Sequence, residues 1–204
     1  MASWWDAATV QQLIDRVPEG SVLCLDEAYS EFAPPGTTPA IDVSNPHVLR
    51  FRTFSKAHGM AGARIGYAIG EAELIKSFDK IRNHFGVNLI AQVGALASLK
   101  DTAHLASVIE KVAAARERIA TIARANGLKP LPSAANFVTI DCCNDGAFAR
   151  RVLSELITRD VFVRMPGVSP LDRCIRVSAG LPSDLDWFEE ALPQALSAAT
   201  VSGP

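Results

Sequence analysis

The sequence DEAY at residues 26–29 follows a short apolar run at residues 22–25, which predicts a strand buried on both faces. Ligands of open α/β sheets bind beyond the carboxyl ends of the strands. Asp26 is therefore well placed to hold a cationic ring nitrogen, and Tyr29 to donate a hydrogen bond to an oxygen of the same ligand. Taken alone, Asp26 is more simply explained as a cap of the turn that follows. Glu27 is predicted to be solvated.

A second set of reactive groups lies in TFSKAHGMAGAR at residues 53–64. Lys56 follows a strand-like run and precedes small residues that let other groups approach closely. A desolvated lysine in such a place can act as a nucleophile or Schiff-base partner, and Arg64 with the Ser55 hydroxyl could bind a phosphate. A surface loop with a solvated lysine is the simpler explanation of the Ser-Lys pair alone. His58 is predicted to pack or to form a hydrogen bond rather than to catalyse.

Arg164 and Arg176 each stand within or at the end of a short apolar stretch that resembles a strand. An arginine in the core of a strand is costly unless a carboxylate or another anion satisfies it. Both residues are therefore candidate anion ligands, with a structural ion pair as the alternative for each. Arg116, Glu117 and Arg118, on a long predicted helix, are expected to form a solvated face.

Composition and charge are those of an ordinary globular protein. Of the 204 residues, 49% are hydrophobic and 21% are charged, and the formal net charge is -2. A general electrostatic attraction to nucleic acid or to an anionic membrane is therefore not expected. No apolar run approaches the length needed to cross a bilayer. The N-terminus has no basic segment leading into an apolar one, so we expect a cytoplasmic protein.

The cysteines do not follow the spacing of a metal site or of a disulfide framework. Cys142 and Cys143 are neighbours, which is a poor geometry for a bond between them, and Cys24 and Cys174 stand far from both. We predict buried, reduced thiols, as in cytosolic proteins. The four histidines, at positions 47, 58, 84 and 104, form no metal-ligand pattern either.

The elements that must position these groups alternate between strands and helices, which predicts an α/β or α+β architecture. Predicted helices cover residues 6–17, 71–81, 89–99, 103–125, 145–158 and 183–196, and predicted strands cover residues 22–25, 47–54, 64–69, 135–140, 161–164 and 174–178. The long helix from residue 103 marks the boundary between an N-terminal part and a smaller C-terminal part. The small residues at positions 197–204 are predicted to fray.

Three blocks of the sequence agree with one family in their order and spacing. DEAY after a predicted strand, TFSKAHGMAGARIGY, and CIRVSAG near the end resemble the fold-type I pyridoxal-phosphate-dependent aminotransferases of class I/II, and most closely the histidinol-phosphate aminotransferase branch. The resemblance runs from about residue 4 to about residue 196. It implies an α/β fold, in which residues 1–102 form the remaining part of the cofactor-binding large domain, with a mixed, mostly parallel sheet and helices. Residues 103–204 would form a small α+β C-terminal domain.

The resemblance also implies a role for each candidate residue near the cofactor, pyridoxal 5'-phosphate. Lys56 resembles the lysine that forms a Schiff base with the cofactor and later moves a proton. Asp26 resembles the partner that keeps the pyridine nitrogen protonated, so that the ring can take up electrons. Tyr29 is similar to the tyrosine bonded to the phenolic oxygen, and Ser55 and Arg64 resemble ligands of the cofactor phosphate.

For the substrate, Arg176 resembles the arginine that binds its acidic end, a carboxylate in most relatives and a phosphate in the histidinol-phosphate branch. Arg164 falls where that branch has a second phosphate-binding arginine. The implied partners are a small-molecule amino donor and an oxo acceptor, in amino-acid biosynthesis, with a homodimer as the full-length form.

Family members carry roughly another domain-half before the point at which this chain starts. That half holds a glycine-containing phosphate loop, an aromatic residue stacked on the ring and an Asn-Pro-x-x-Pro motif, and the chain therefore resembles the C-terminal portion of a longer enzyme. We hypothesise that its start is an internal methionine or an artificial boundary. The intact polypeptide is then expected to be the aminotransferase, and this portion alone is expected to be weak or inactive.

Two other functions remain open at this level. The same scaffold could decarboxylate an amino-acid phosphate, as a close relative of the branch does, and none of the motifs excludes that reaction. The chain could also be a non-catalytic remnant that binds a partner through an exposed sheet edge. The enzyme is favoured by the joint presence of Lys56, Asp26, Tyr29, Ser55, Arg64 and Arg176.

Overall fold

The computed structural model describes residues 2–201, which separate into two compact units. The first is Trp4–Ile109, and the second consists of residues 110–201 together with residues 2 and 3. The division falls inside helix α4 (Thr102–Ala125). A domain boundary at the start of that helix stays a prediction. Among residues 2–201, no helix is long and apolar enough to cross a membrane.

The first unit is built on a three-stranded sheet in the order β1-β2-β3. Strand β1 (Leu23–Asp26) pairs in parallel with β2 (Val48–Thr53), and β2 pairs antiparallel with β3 (Gly66–Ile69). This confirms the predicted α/β fold with a mixed sheet and helices. The prediction that β1 is buried on both faces is wrong, because Cys24 and Asp26 are exposed on one face of this edge strand.

Three helices accompany this sheet, each with a side chain that accepts from its first free amide groups. Helix α1 (Ala7–Ile14) begins at Asp6, α2 (Ala72–Ser77) at Glu71 and α3 (Leu89–Lys100) at Asn88. These caps satisfy N–H groups that have no partner inside the helix. Helices α1 and α2 are shorter than predicted, and α2 passes into a single 3-10 turn, Phe78–Lys80. The last apolar residue of that predicted helix, Ile81, is 81% exposed.

The second unit contains a separate antiparallel sheet in the order β4-β5-β6. The strands are β4 (Lys129–Pro130), β5 (Phe137–Asp141) and β6 (Cys174–Ser178), and the helices are α5 (Gly146–Ile157) and α6 (Pro182–Val201). Helices α5 and α6 and the later turns of α4 bury their apolar faces in one core. Its most completely buried large side chains include Ile119, Ile140, Val152, Leu156, Ile175, Phe188 and Leu192.

Two predictions in this unit are wrong in an instructive way. The expected strand at residues 161–164 is reduced to one bridge between Arg164 and Arg176. Residues 197–201 do not fray but continue helix α6, and residues 202–204 lie outside the described part. Ala199 is fully buried, and its carbonyl accepts a hydrogen bond from Arg151 Nε at 2.9 Å. The small side chains in this last turn suit close packing against the core.

The predicted solvated face of the long helix holds only in part. Arg118 lies at the surface and forms ion pairs there, with its Nη2 atom 2.6 Å from Asp186 Oδ1 and 2.7 Å from Glu189 Oε2, both on α6. Arg116 is half-buried and donates to the Ala135 carbonyl at 3.3 Å. These arginines therefore link α4 to its neighbours within the second unit.

The prediction of buried, reduced thiols is right for only half of the cysteines. All four are free, but Cys142 and Cys174 are buried, whereas Cys24 and Cys143 are exposed. Cys24 lies on the open face of β1, and Cys143 follows the end of β5 with a positive φ of 56°. No group of three or more His, Cys, Asp or Glu side chains in residues 2–201 is arranged to hold a metal ion.

Candidate functional site

The parallel pairing of β1 and β2 brings the first two candidate segments together. Asp26 pairs with Phe51 at the carboxyl end of the ladder, so the turn after β1 and the loop after β2 leave the sheet at the same edge. Tyr29 lies in the former and Lys56 in the latter. The Lys56 Nζ atom is 5.2 Å from the centroid of the Tyr29 ring, within the range of a cation–π contact. Lys56 is half-buried rather than a fully solvated surface lysine.

Asp26 is exposed at the end of β1 and does cap the next turn. Its Oδ1 atom accepts a hydrogen bond from the Ala28 amide at 3.0 Å. Within residues 2–201, no salt bridge involves Asp26. Asp26 therefore caps the turn, as the simpler explanation from the sequence predicts. The cap uses only one of the two carboxylate oxygens.

Glu27 contradicts the prediction that it is solvated. Its side chain is only 11% exposed, and it forms ion pairs with Arg50 at 2.6 Å and Arg52 at 3.1 Å. Burial acts to lower the pKa of Arg52, but the hydrogen bond and the negative charge of Glu27 outweigh it and hold that pKa above its usual value. Glu27 belongs to the turn that carries Asp26 and Tyr29, so these ion pairs attach that turn to β2.

The loop that carries Lys56 is closed on itself by main-chain hydrogen bonds. The Met60 amide donates to the Phe54 carbonyl at 2.8 Å, and the Gly59 amide donates to the Lys56 carbonyl at 3.0 Å. Gly59 has a φ of +68°, a conformation that costs a glycine little. Ser55 is fixed at the loop entrance, where its amide donates to Thr53 Oγ1 at 3.1 Å.

Arg64 leaves this loop in a left-handed backbone conformation, with a φ of +53°. For a residue with a Cβ atom this region costs roughly 1–2 kcal/mol. Its Nη1 atom donates to the Ala61 carbonyl at 2.9 Å, and the side chain is exposed. Two residues later, a Cβ atom on Gly66 would lie 2.6 Å from the Arg52 carbonyl oxygen, so β3 can approach β2 only with glycine there.

His58 forms the hydrogen bond that the sequence predicted. Its Nδ1 atom lies 2.8 Å from Ser98 Oγ on helix α3. Its ring also packs against Phe54, with centroids 4.9 Å apart, and Phe54 in turn packs against Tyr67 at 5.6 Å. The loop is therefore attached to both α3 and β3 within the first unit.

The two candidate substrate arginines belong to the second unit, where their backbones pair with each other. The Arg164 amide donates to the Arg176 carbonyl at 3.0 Å, and the Arg176 amide donates to the Arg164 carbonyl at 2.6 Å. Arg164 is exposed, and the half-buried Arg176 guanidinium lies 4.7 Å from the centre of the Phe137 ring. In residues 2–201, neither arginine forms an ion pair. The structural ion pair considered from the sequence is thus not observed in this part of the chain.

Comparison with known proteins shows which family the chain belongs to. The model of the family described as "Aminotransferase class I and II" matches residues 2–191. The chain therefore belongs to the class I and II aminotransferase family.

The individual proteins that the chain resembles include several histidinol-phosphate aminotransferases. A crystal structure of histidinol-phosphate aminotransferase from Sinorhizobium meliloti, in complex with pyridoxal-5'-phosphate, is 46% identical with a TM-score of 0.94, and the match covers 97% of this chain and 55% of that one. The curated histidinol-phosphate aminotransferase 1 of Mesorhizobium japonicum is 36% identical over 96% of this chain and 54% of its own length. The chain spans about half the length of the curated relatives it matches.

A more distantly similar solved structure is that of a decarboxylase. L-threonine-O-3-phosphate decarboxylase from Porphyromonas gingivalis is 21% identical with a TM-score of 0.77, over 94% of this chain and 60% of that one. Identity at this level shows a shared fold alone.

Sequence reasoning missed the cluster of Glu27 with its two arginines. A signal was present in the order Arg50-Phe51-Arg52, because alternate residues of a strand share a face. Two cations on one face of a predicted strand require an anion nearby, and Glu27 directly follows the neighbouring strand. Assigning that anion required knowledge of the parallel pairing of β1 with β2.

Proposed function

We propose that this protein is a pyridoxal-phosphate-dependent aminotransferase of the histidinol-phosphate aminotransferase type. It would transfer an amino group between an amino acid and a 2-oxo acid or oxo-phosphate. The observation that carries the proposal is the position of Lys56 Nζ, 5.2 Å from the Tyr29 ring at the carboxyl ends of β1 and β2. The 46% identical histidinol-phosphate aminotransferase, whose structure contains the cofactor, supports it.

The donor set of the first unit suits this cofactor. A primary amine, a phenol and a carboxylate stand at one edge of the sheet on Lys56, Tyr29 and Asp26, and Lys56 has no carboxylate partner within residues 2–201. When bound, pyridoxal phosphate supplies an electron sink for the negative charge that develops at the substrate Cα. Lys56 would hold the cofactor through its amine and then move the proton at that carbon.

The other residues of this edge would orient and charge the cofactor. Asp26 would keep the pyridine nitrogen protonated through its negative charge, and Tyr29 would donate to the phenolic oxygen. Ser55 and Arg64 would bind the phosphate, since a hydroxyl and a guanidinium are strong donors to phosphate oxygens. In the second unit, Arg176 and Arg164 would bind the anionic end of the substrate, because neither has an ion-pair partner in residues 2–201.

The assembly and setting follow the same proposal. Residues 1–102 would belong to the cofactor-binding large domain and residues 103–204 to a small C-terminal domain entered through α4. The full-length form would be a homodimer that acts in the cytoplasm on a small-molecule amino donor and an oxo acceptor. Four free cysteines agree with a reducing compartment.

The test is the visible absorption spectrum of the chain with added pyridoxal phosphate. We expect a new visible band in the wild type and in Lys80→Ala, which removes an exposed lysine of the same unit, and no band in Lys56→Ala. Adding histidinol phosphate should bleach the band, at a higher concentration in Arg176→Gln than in the wild type. A band that persists in Lys56→Ala would overturn the proposal, and a wild type without a band would confine cofactor binding to the intact polypeptide.

A further inference from the structure

The buried charges around Glu27 tie the turn after β1 to strand β2. The side chains of Glu27, Arg50 and Arg52 are 11%, 4% and 22% exposed, and we call these three residues the Glu27 cluster. Arg50 Nε and Arg52 Nε donate to the two different oxygens of the carboxylate, at 2.8 and 3.1 Å. Both carboxylate oxygens of Glu27 are therefore held by one strand.

The register of the sheet places this cluster on the face opposite Asp26. Arg50 and Arg52 flank Phe51 on one face of β2, and Phe51 pairs with Asp26. The Glu27 amide donates to the Phe51 carbonyl at 2.9 Å, so the main chain and the side chain of Glu27 are both fixed to β2. Successive residues of an extended chain point to opposite faces, so Asp26 is oriented away from the cluster that anchors its neighbour.

Arg50 also attaches the loop that precedes strand β2. Its Nη1 atom donates to the Pro39 carbonyl at 3.0 Å and to the Ala40 carbonyl at 3.2 Å. The residue therefore joins three segments, the turn after β1, strand β2 and the loop that precedes β2. Because these bonds use several of its guanidinium donors, Arg50 cannot follow the Glu27 carboxylate if the turn moves.

Stability alone is a weak reason to bury such a cluster. Replacing buried ion pairs by well-packed apolar side chains is often neutral or stabilising, because desolvation of the charges is costly. A carboxylate held by two fixed guanidiniums does, however, specify one position of its backbone, since both bonds are directional. The position fixed here is that of residues 26–29, whose last member lies next to Lys56.

We propose that Glu27 is a positioning residue, which holds the turn of Asp26 and Tyr29 on β2 so that both face the loop of Lys56. Its effect on cofactor binding rests on the function proposed above, whereas its effect on the turn does not. Glu27 would act through its neighbours, because its carboxylate is taken up by Arg50 and Arg52.

The first experiment follows amide hydrogen exchange in the chain without cofactor. We expect Glu27→Gln to raise exchange about tenfold or more at residues 26–30, because its bonds to the two arginines weaken, and at residues 53–58, because that loop faces the turn. Helix α3, in the same unit, should change much less. The matched control is Glu73→Gln, which removes a carboxylate that is 76% exposed and paired only with Lys76. An equal rise throughout the first unit, or no rise at residues 26–30, would refute the positioning role.

If Glu27→Gln does not fold, Arg52→Gln tests the positioning role of Glu27 instead. Arg52 is the more exposed arm of the cluster, and the Glu27–Arg50 pair remains in this variant. The same residues should exchange faster than in the wild type, by a smaller factor, and unchanged exchange would count against the proposal.

A titration with pyridoxal phosphate then separates this inference from the proposed function. If the wild type gives the visible band, the variant that folds should need a several-fold higher cofactor concentration, and Glu73→Gln should not. If amide exchange is faster but the cofactor affinity is unchanged, Glu27 positions the turn without influencing cofactor binding. If the band persists in Lys56→Ala, the proposed function fails, while the exchange result still decides whether Glu27 positions the turn.

Discussion

The Nδ1 atom of His58 lies 2.8 Å from Ser98 Oγ, and this hydrogen bond attaches the loop of Lys56 to helix α3. His58 comes two residues after Lys56, so movement of the ring away from α3 would also move the lysine. A single neutral hydrogen bond contributes about 0.5–1.5 kcal/mol net. The attachment is therefore modest in energy, but it acts directly on the loop.

Removing this bond should weaken cofactor binding. We expect Ser98→Ala to lower the affinity for pyridoxal phosphate about two- to tenfold, which corresponds to one neutral hydrogen bond. Titration of the visible band measures it. Ser77→Ala is the control, because Ser77 Oγ bonds the Leu74 carbonyl of its own helix. Equal affinities in Ser98→Ala and the wild type would show that the bond does not position Lys56.

Asp26→Asn separates the two roles of this residue. Asparagine keeps the carbonyl oxygen that accepts from the Ala28 amide, so the turn cap survives, but the negative charge is lost. We expect the free energy of unfolding to change by less than about 0.5 kcal/mol, as at ordinary surface sites. Bleaching of the cofactor band by histidinol phosphate should slow strongly. Unimpaired bleaching would restrict Asp26 to capping.

Substitutions of Arg64 should separate its backbone contribution to stability from its side-chain contribution to cofactor affinity. Glycine adopts a φ of +53° without the Cβ penalty, so Arg64→Gly should be more stable than Arg64→Ala by about 1 kcal/mol in urea unfolding. Both variants lose the guanidinium, and both should bind pyridoxal phosphate more weakly than the wild type. If Arg64→Gly bound the cofactor as tightly as the wild type, the proposed phosphate contact would be wrong.

Two neighbours on α5 should respond very differently to truncation. Leu156 is fully buried in the core of the second unit, whereas Ile157 is 49% exposed. We expect Leu156→Ala to lower the free energy of unfolding by about 2–5 kcal/mol, because it loses burial and leaves a cavity. Ile157→Ala should cost clearly less. Denaturant unfolding of both variants tests the position of the core, and similar losses would contradict it.

The four thiols should fall into two classes of reactivity. Cys24 and Cys143 are exposed and should be alkylated in the native protein, whereas Cys142 and Cys174 should react only after unfolding. Burial raises the pKa of Cys142 from 9.0 to about 12, so little of the reactive thiolate forms there at neutral pH. Mass spectrometry of the alkylated peptides gives the answer, and rapid native modification of Cys142 would contradict its burial.

The same pKa gives the sign of a pH effect on stability. Between pH 9.0 and about 12 the thiol of Cys142 is ionised in the unfolded chain and protonated in the folded one. The unfolded state therefore binds fewer protons, and the free energy of unfolding falls as the pH rises. In Cys142→Ala this contribution is absent, so its stability should decline less steeply above pH 9.0 than that of the wild type.

Local patterns predicted the elements well where periodicity and caps agreed. The predicted strand at residues 174–178 and the helix at 89–99 match β6 and α3 almost residue for residue. The prediction failed where a partner distant in sequence decides the outcome. Glu27 follows an apolar run and looked solvated, yet Arg50 and Arg52 on the next strand bury it. Residues 197–201 looked like a small-residue tail, and the core that Ala199 enters comes from other elements.

A substitution of Gly66 would also disturb the Glu27 cluster. Any other side chain there would place a carbon 2.6 Å from the carbonyl oxygen of Arg52 and would push β2 and β3 apart. Arg52 holds one of the two Glu27 oxygens, so the displacement would reach the turn of Tyr29. A change at this glycine, which has no side chain to donate or accept, would then mimic the loss of an active-site residue. In a scan of natural variants, position 66 should be as intolerant as the lysine itself.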